Sequence, residues 1–189
     1  MNNKLKPEEK KTLLMIARDA ITAHVNGQKP KQLDEYPLSP TLLADGASFV
    51  TLTKKGELRG CIGTLQAVQS LAEDVQLRAI QAATEDPRFP AVQASELPQI
   101  KIEISRLTPP VKLDYENPQD LAQLIRPHQD GVILKDGFRR ATFLPQVWEQ
   151  LPHPEDFLSH LCQKMGVPGG YWKKKFLEVS IYSVEDFSE

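Results

Sequence analysis

Gly131-Val132-Ile133-Leu134-Lys135-Asp136-Gly137-Phe138-Arg139-Arg140-Ala141-Thr142-Phe143 reads as two strands, over 131–135 and 138–143, joined by Asp136-Gly137. An Asp-Gly pair between runs of β-branched and aromatic residues is a strong short-range hairpin signal, because the turn needs positive φ. Working outward, 145–151 and 154–165 read as helices, the second ending at Gly166, and 175–184 alternates Leu177, Val179 and Ile181 with Glu178, Ser180 and Tyr182, the period of a closing strand. On the other side, Asn117-Pro118 through Ile125 suggests a short helix with Pro at its first position. Before it, Ile100, Ile102 and Ile104 alternate with Lys101, Glu103 and Ser105, the cleanest strand in the chain.

In the first half, Leu13, Ala17, Ile21 and Val25 recur every fourth residue between Pro7 and Val25, with Leu14 and Ile16 widening the stripe, so an amphipathic helix is expected. The proline-rich stretch 28–40 reads as an ordered surface loop. Residues 48–53 predict a strand, Lys54-Lys55-Gly56-Glu57 a hairpin turn, and a second strand starts near Glu57. Leu71, Val75, Ala79 and Ala83 predict a helix over 70–84, opened by Ser70 and Glu73 as a capping box and closed by Asp86-Pro87. Hairpins are local and helices fall between groups of strands. The fold expected is α+β, with a largely antiparallel sheet flanked by helices.

The 189 residues carry 23 Lys plus Arg against 25 Asp plus Glu, a net charge of −2, so no global field attracts nucleic acid or an anionic membrane. No window holds the roughly 18 consecutive apolar residues of a membrane span, and the Lys-rich start lacks a signal-peptide core, so a cytoplasmic protein is expected. The two cysteines, Cys61 and Cys162, are too sparse for a disulfide framework, and no metal-ligand spacing joins them to His128, His153 or His160. Neither a metal nor a cofactor is expected. P-loop, dinucleotide, Gly-x-Ser-x-Gly and radical SAM cluster motifs are absent from the sequence, which excludes self-contained forms of those chemistries.

One segment asks for a chemical explanation: Leu58-Arg59-Gly60-Cys61-Ile62-Gly63. A regular strand puts Leu58 and Ile62 on one face and Glu57, Arg59, Cys61 and Gly63 on the other, so the core does not claim Cys61. Gly60 and Gly63 allow close approach of a backbone or a ligand, or mark a bulge. The Arg59 guanidinium favours a thiolate, and burial opposes it. Isolated cysteines are most often inert core residues, and Cys162, among Phe157, Leu158, Leu161 and Met165, reads as one.

Phe49-Val50-Thr51-Leu52, Gly56 through Leu65, Asp86-Pro87-Arg88-Phe89, Phe143 through Trp148, and Phe157 through Lys164 followed by Trp172 resemble, in that order, the AMMECR domain family. The resemblance runs from about residue 8 to 187 and is closest to protein A of the bacterial and archaeal AmmeMemoRadiSam system. It implies one domain over 1–189 with a smaller lobe within it, a cleft near Leu58–Gly63, and a place in a modification pathway beside Memo-like and radical SAM proteins. It implies no particular reaction.

The leading expectation is an enzyme or enzyme subunit in which Cys61 acts as nucleophile or thiol ligand, Glu57 orients Arg59, and Arg59 and Arg88 hold an anionic or carbonyl-bearing group. Gly60 and Gly63 line that site, and the loop residue His128 is a candidate base. The alternative is a non-catalytic binding or scaffold subunit for a partner protein or nucleotide. A weaker reading is RNA binding through Arg88, Arg139, Arg140 and Lys173-Lys174-Lys175.

Overall fold

A computed structural model describes residues 4–189. In chain order it contains α1 (Pro7–Val25), α2 (Pro40–Leu43), β1 (Asp45–Lys54), β2 (Glu57–Gly63), β3 (Gln69–Ser70), α3 (Leu71–Thr84) and β4 (Ile100–Leu107). There follow β5 (Val111–Lys112), α4 (Leu121–Leu124), β6 (Gly131–Asp136), β7 (Arg139–Phe143), α5 (Pro154–Lys164), β8 (Glu178–Tyr182) and β9 (Val184–Ser188). The fold is α+β, as the sequence predicts. The chain divides into two compact units, one reaching to Leu107 and including Glu185–Glu189, the other, smaller, spanning Thr108–Val184.

The first unit is built on a sheet of order β2-β1-β4-β9, with β3 also paired to β1. Val50, Leu52, Ile102 and Ile104 are buried on one face of it, in one apolar cluster with Leu13, Ile16, Ala17 and Ile21 of α1 and Leu71, Val75, Ala79 and Ala82 of α3. Fully burying side chains of this size contributes about 2 kcal/mol each, so this cluster holds the sheet that carries the Leu58–Gly63 motif. The capping box forms: the Ser70 amide and hydroxyl donate to Glu73 at 2.9 and 2.6 Å. Stretch 28–40 is ordered, with a short 3-10 turn at Leu33–Glu35, a buried Tyr36 whose hydroxyl donates to Asp19, and Ser39 capping α2.

Inside α3, Asp74 is fully buried. It accepts from the Ser48 amide and hydroxyl at 2.8 Å each, from Gln69 at 3.2 Å and from Arg78 at 3.1 Å. A buried carboxylate is tolerated only when its lone pairs are filled in this way, and here it ties α3 to the start of β1.

The second unit has a sheet of order β5-β8-β6-β7. Its core gathers Val132, Leu134, Ala141, Trp148, Phe157, Leu161 and Trp172. Trp148 stacks on Phe157 with ring centroids 3.8 Å apart, and its indole donates to the Asp130 carbonyl at 2.7 Å. Cys162 is fully buried here, and burial pushes its thiol up.

Three expectations need correction. The turn between β6 and β7 is Gly137-Phe138 and not Asp136-Gly137, because Asp136 pairs with Arg139 and belongs to the strand. The closing strand over 175–184 is two strands: Glu178–Tyr182 pairs in the second sheet, and Val184–Ser188 belongs to the first. The break falls at Ser183, whose amide donates to the Thr108 hydroxyl while its carbonyl accepts from the Thr108 amide, both at 2.9 Å. Leu58 does not share the core face with Ile62 and is 41% exposed. Lys54 pairs with Glu57 and Thr53 with Leu58, but Leu52 pairs with Gly60, so Arg59 is an extra residue in β2. That bulge reverses the inward and outward alternation of everything before it.

Candidate functional site

The bulge decides where Cys61 stands. In an unbroken register from the Lys55-Gly56 turn, Arg59 would face Leu52 and Cys61 would fall on the same face as the buried Leu52 and Val50. With the extra residue, Gly60 and Ile62 oppose Leu52 and Val50, and Cys61 opposes Thr51. The Thr51 hydroxyl donates to the Cys61 sulfur at 3.2 Å, and the cysteine is partly accessible.

Both flanking glycines serve close packing. A Cβ on Gly60 would lie 2.1 Å from the Ala82 carbonyl oxygen of α3, and one on Gly63 would lie 2.2 Å from the Phe49 ring. Gly60 therefore lets the end of α3 lie directly on the motif strand.

That approach brings the turn after α3 to the strand edge. Asp86, 4% exposed, accepts the Cys61 amide on Oδ2 at 2.8 Å. The same carboxylate accepts the Arg88 amide and Nε on Oδ1 at 3.1 and 2.9 Å, and Arg88 Nη2 on Oδ2 at 2.7 Å. The Arg88 guanidinium holds the Asp86 carboxyl well below the usual carboxylate range, against the opposing effect of burial. Arg88 is itself raised, chiefly by its hydrogen bonds to Asp86. Its side chain is 54% exposed, so this guanidinium stands at the surface, on the same carboxylate that holds the Cys61 amide.

Arg59 is differently placed. Its Nε and Nη2 donate to Glu96 at 3.1 and 3.0 Å, and its Nη1 donates to the Pro90 carbonyl at 2.8 Å. Glu96, pushed down to about 2 by Arg59 and then Lys54, is the carboxylate that orients Arg59. Glu57, expected in that part, sits exposed at the start of β2 and is not among the Arg59 partners. Phe89 lies against both guanidiniums, 6.0 Å from Arg59 and 5.5 Å from Arg88.

His128 belongs to the second unit, at the exposed apex of a turn with φ +61°. Arg126 and the buried Asp130 close that turn through the Arg126 amide at 2.8 Å and its guanidinium at 2.7 Å. Arg139 and Arg140 are both exposed in that unit, and Lys173 and Lys175 are paired with Glu155 and Asp136.

Sequence reading did not find Thr51, Glu96 or the bond from the Cys61 amide to Asp86. Asp86 and Glu96 act across 25 and 37 residues, and Thr51 is reached only through the bulged register. The available signal was the fixed turn itself, in which Pro87 sets the backbone and Asp86 accepts the Arg88 amide as an Asx turn does.

Elsewhere in the first unit, Lys6, Glu8, Glu9, Thr12, Pro37 and Ser39 line a cavity of about 140 Å³. Its buried Glu9 already accepts from Ser39 Oγ at 2.5 Å and the Lys6 amide at 2.7 Å. Among the described residues no group of three His, Cys, Asp or Glu is arranged to hold a metal ion, and no helix is long and apolar enough to cross a membrane.

A family model for AMMECR1 matches residues 14–187. The chain belongs to the AMMECR1 family. It is 38% identical over 197 residues to protein MK0488 of Methanopyrus kandleri, covering 100% of this chain and 92% of that one. A protein of Methanothermobacter thermautotrophicus is 43% identical over 169 residues, covering 87% of this chain and 85% of the other. The crystal structure of uncharacterized protein PH0010 from Pyrococcus horikoshii matches with a TM-score of 0.76 at 32% identity, covering 98% of this chain and 93% of that one. The AMMECR1 assignment and the α+β fold thus stand together across nearly the whole chain.

Proposed function

We propose that β2 and the Asp86–Arg88 turn form a site in which the Cys61 sulfur acts as nucleophile or thiol ligand toward a small anionic or carbonyl-bearing group held by Arg88. The observation that carries this reading is the double use of Asp86, which hydrogen-bonds the Cys61 amide and the exposed Arg88 guanidinium at once. The Thr51 hydroxyl, donating to sulfur, stabilises negative charge there. Arg59 keeps a positioning part, because its donors are committed to Glu96 and Pro90. In this proposal the chain works in a modification pathway beside Memo-like and radical SAM proteins.

Iodoacetamide alkylation of the folded protein, followed by peptide mass spectrometry across neutral pH, tests it with Cys162 as the buried reference. Cys61 should react in the folded state while Cys162 waits for unfolding, and Arg88→Gln should slow the Cys61 reaction. Protection of both cysteines until unfolding would sink the catalytic reading.

A scaffold reading draws on a specific observation: Gly60 and Gly63 are both accounted for by packing against Ala82 and Phe49. Under it, tagged Memo-like or radical SAM proteins co-purify with the chain, and Cys61→Ala leaves that association intact.

A further inference from the structure

The two hairpins turn on different chemistry. Between β1 and β2, Lys55 and Gly56 both take positive φ, and the turn presents only a lysine. Between β6 and β7, Gly137 alone takes positive φ, at +59°, and leaves the second turn position to Phe138, whose relative exposure is 109%. A two-residue turn with glycine first accepts any residue second, and the core does not use this ring. Neither the turn nor the packing calls for phenylalanine.

A second exposed aromatic lies at the same end of the sheet. Lys135 of β6 pairs with Glu178 of β8, which sets the start of β8 beside the end of β6. Lys175 donates to the Asp136 carboxylate at 2.9 Å, and its neighbour Phe176, 58% exposed, stacks on Tyr115 with centroids 5.5 Å apart. Most nearby carboxylates are matched, Asp136 with Lys175, Glu178 with Lys135, Glu155 with Lys173 and Asp114 with Lys112, and among the described residues Glu116 beside Tyr115 is left without an ion pair. Among the described residues Arg139, Arg140 and Lys174 form no ion pair, so positive charge is in surplus around the two rings.

We propose that this end of the second sheet docks reversibly on an anionic lipid surface. Phe138 and Phe176 enter the headgroup region while Arg139, Arg140 and Lys174 meet lipid phosphates. A projecting tip suits a soft surface, whereas single-stranded nucleic acids are tracked along grooves. One small apolar insertion holds a membrane weakly, and a cationic collar supplies the second attraction that reversible docking needs. With a net charge of −2 the attraction is local and acts within a Debye length.

The full chain is sedimented with vesicles of phosphatidylcholine alone and of equal parts phosphatidylcholine and phosphatidylglycerol. Co-sedimentation is expected with the anionic vesicles, weakened by salt, and absent with the neutral ones. Phe138→Ser should lower partitioning about tenfold, and Arg139→Gln with Arg140→Gln should remove the difference between the two lipids. Both variants change exposed side chains, so thermal midpoints should hold. Failure to co-sediment, equal binding by Phe138→Ser, tighter binding to a single-stranded oligonucleotide, or self-association lost in Phe138→Ser would each overturn the proposal.

Discussion

β2 and β7 are each the second strand of a hairpin and each the edge of its sheet, yet they are built to different ends. β7 pairs with β6 without interruption from Asp136↔Arg139 to Val132↔Phe143, and Lys164 donates to its Thr142 carbonyl. β2 carries an extra residue at Arg59, packs α3 against Gly60, and has the Cys61 amide taken by Asp86. Charged side chains are enough to keep an edge from pairing with another chain. The bulge and the carboxylate on β2 go further, because they hold one thiol off the core face at a set position.

The largest effect that would break this contrast is expected from Gly60→Ala. The added methyl meets a backbone carbonyl at 2.1 Å, which a side-chain rotation cannot relieve. Denaturant unfolding should show a loss of about 3 kcal/mol, whereas alanine at Gly137, where no atom lies within 4 Å, should suffer only from its positive φ.

Next comes Asp86→Asn, with a loss of about 2 kcal/mol at neutral pH from imperfectly satisfied donors on Cys61 and Arg88. Because the folded carboxyl sits below its unfolded value, its contribution is present above about pH 4 and fades as pH falls through the folded value. Thermal melts of the two proteins should therefore converge on acidification. A gap that stayed constant down to low pH would show that Asp86 acts through packing and not charge.

Glu96→Gln should cost less, about 1 kcal/mol, since Arg59 keeps the Pro90 carbonyl and the pair is only partly desolvated. Its wild-type contribution should be lost between about pH 4 and the folded value of about 2. If Glu96→Gln slowed Cys61 alkylation as strongly as Arg88→Gln, Arg59 would be more than a positioning residue.

Local signals carried much of this molecule. The spacing of Leu13, Ala17 and Ile21, the Ser70 and Glu73 box, the Ile100 to Ile104 alternation and the β6–β7 hairpin, whose turn falls one residue later than Asp136-Gly137, each describe a segment whose conformation is set by neighbours within about four residues. The motif was legible as an oddity, a thiol between glycines, because residue types alone announce small size and reactivity. Its geometry was not, since the glycines allowed a bulge or a close approach, and only the pairing with β1 decides that Arg59 is the extra residue. The partner of Arg59 was misassigned to Glu57, the nearest acid in the chain, when the carboxylate in reach was Glu96.

The sequence by itself determined the helices, the hairpins, the α+β class and the identity of the residues available for chemistry, because periodicity and turn preference are local properties. Tertiary structure alone decided that the last strand splits between two sheets, that Cys61 faces Thr51, and that Arg88 shares Asp86 with the Cys61 amide while Arg59 is tied down. Those outcomes depend on which distant backbone and carboxylate groups satisfy one another when α3 settles on Gly60, and hydrogen-bond satisfaction across the chain has no period to read.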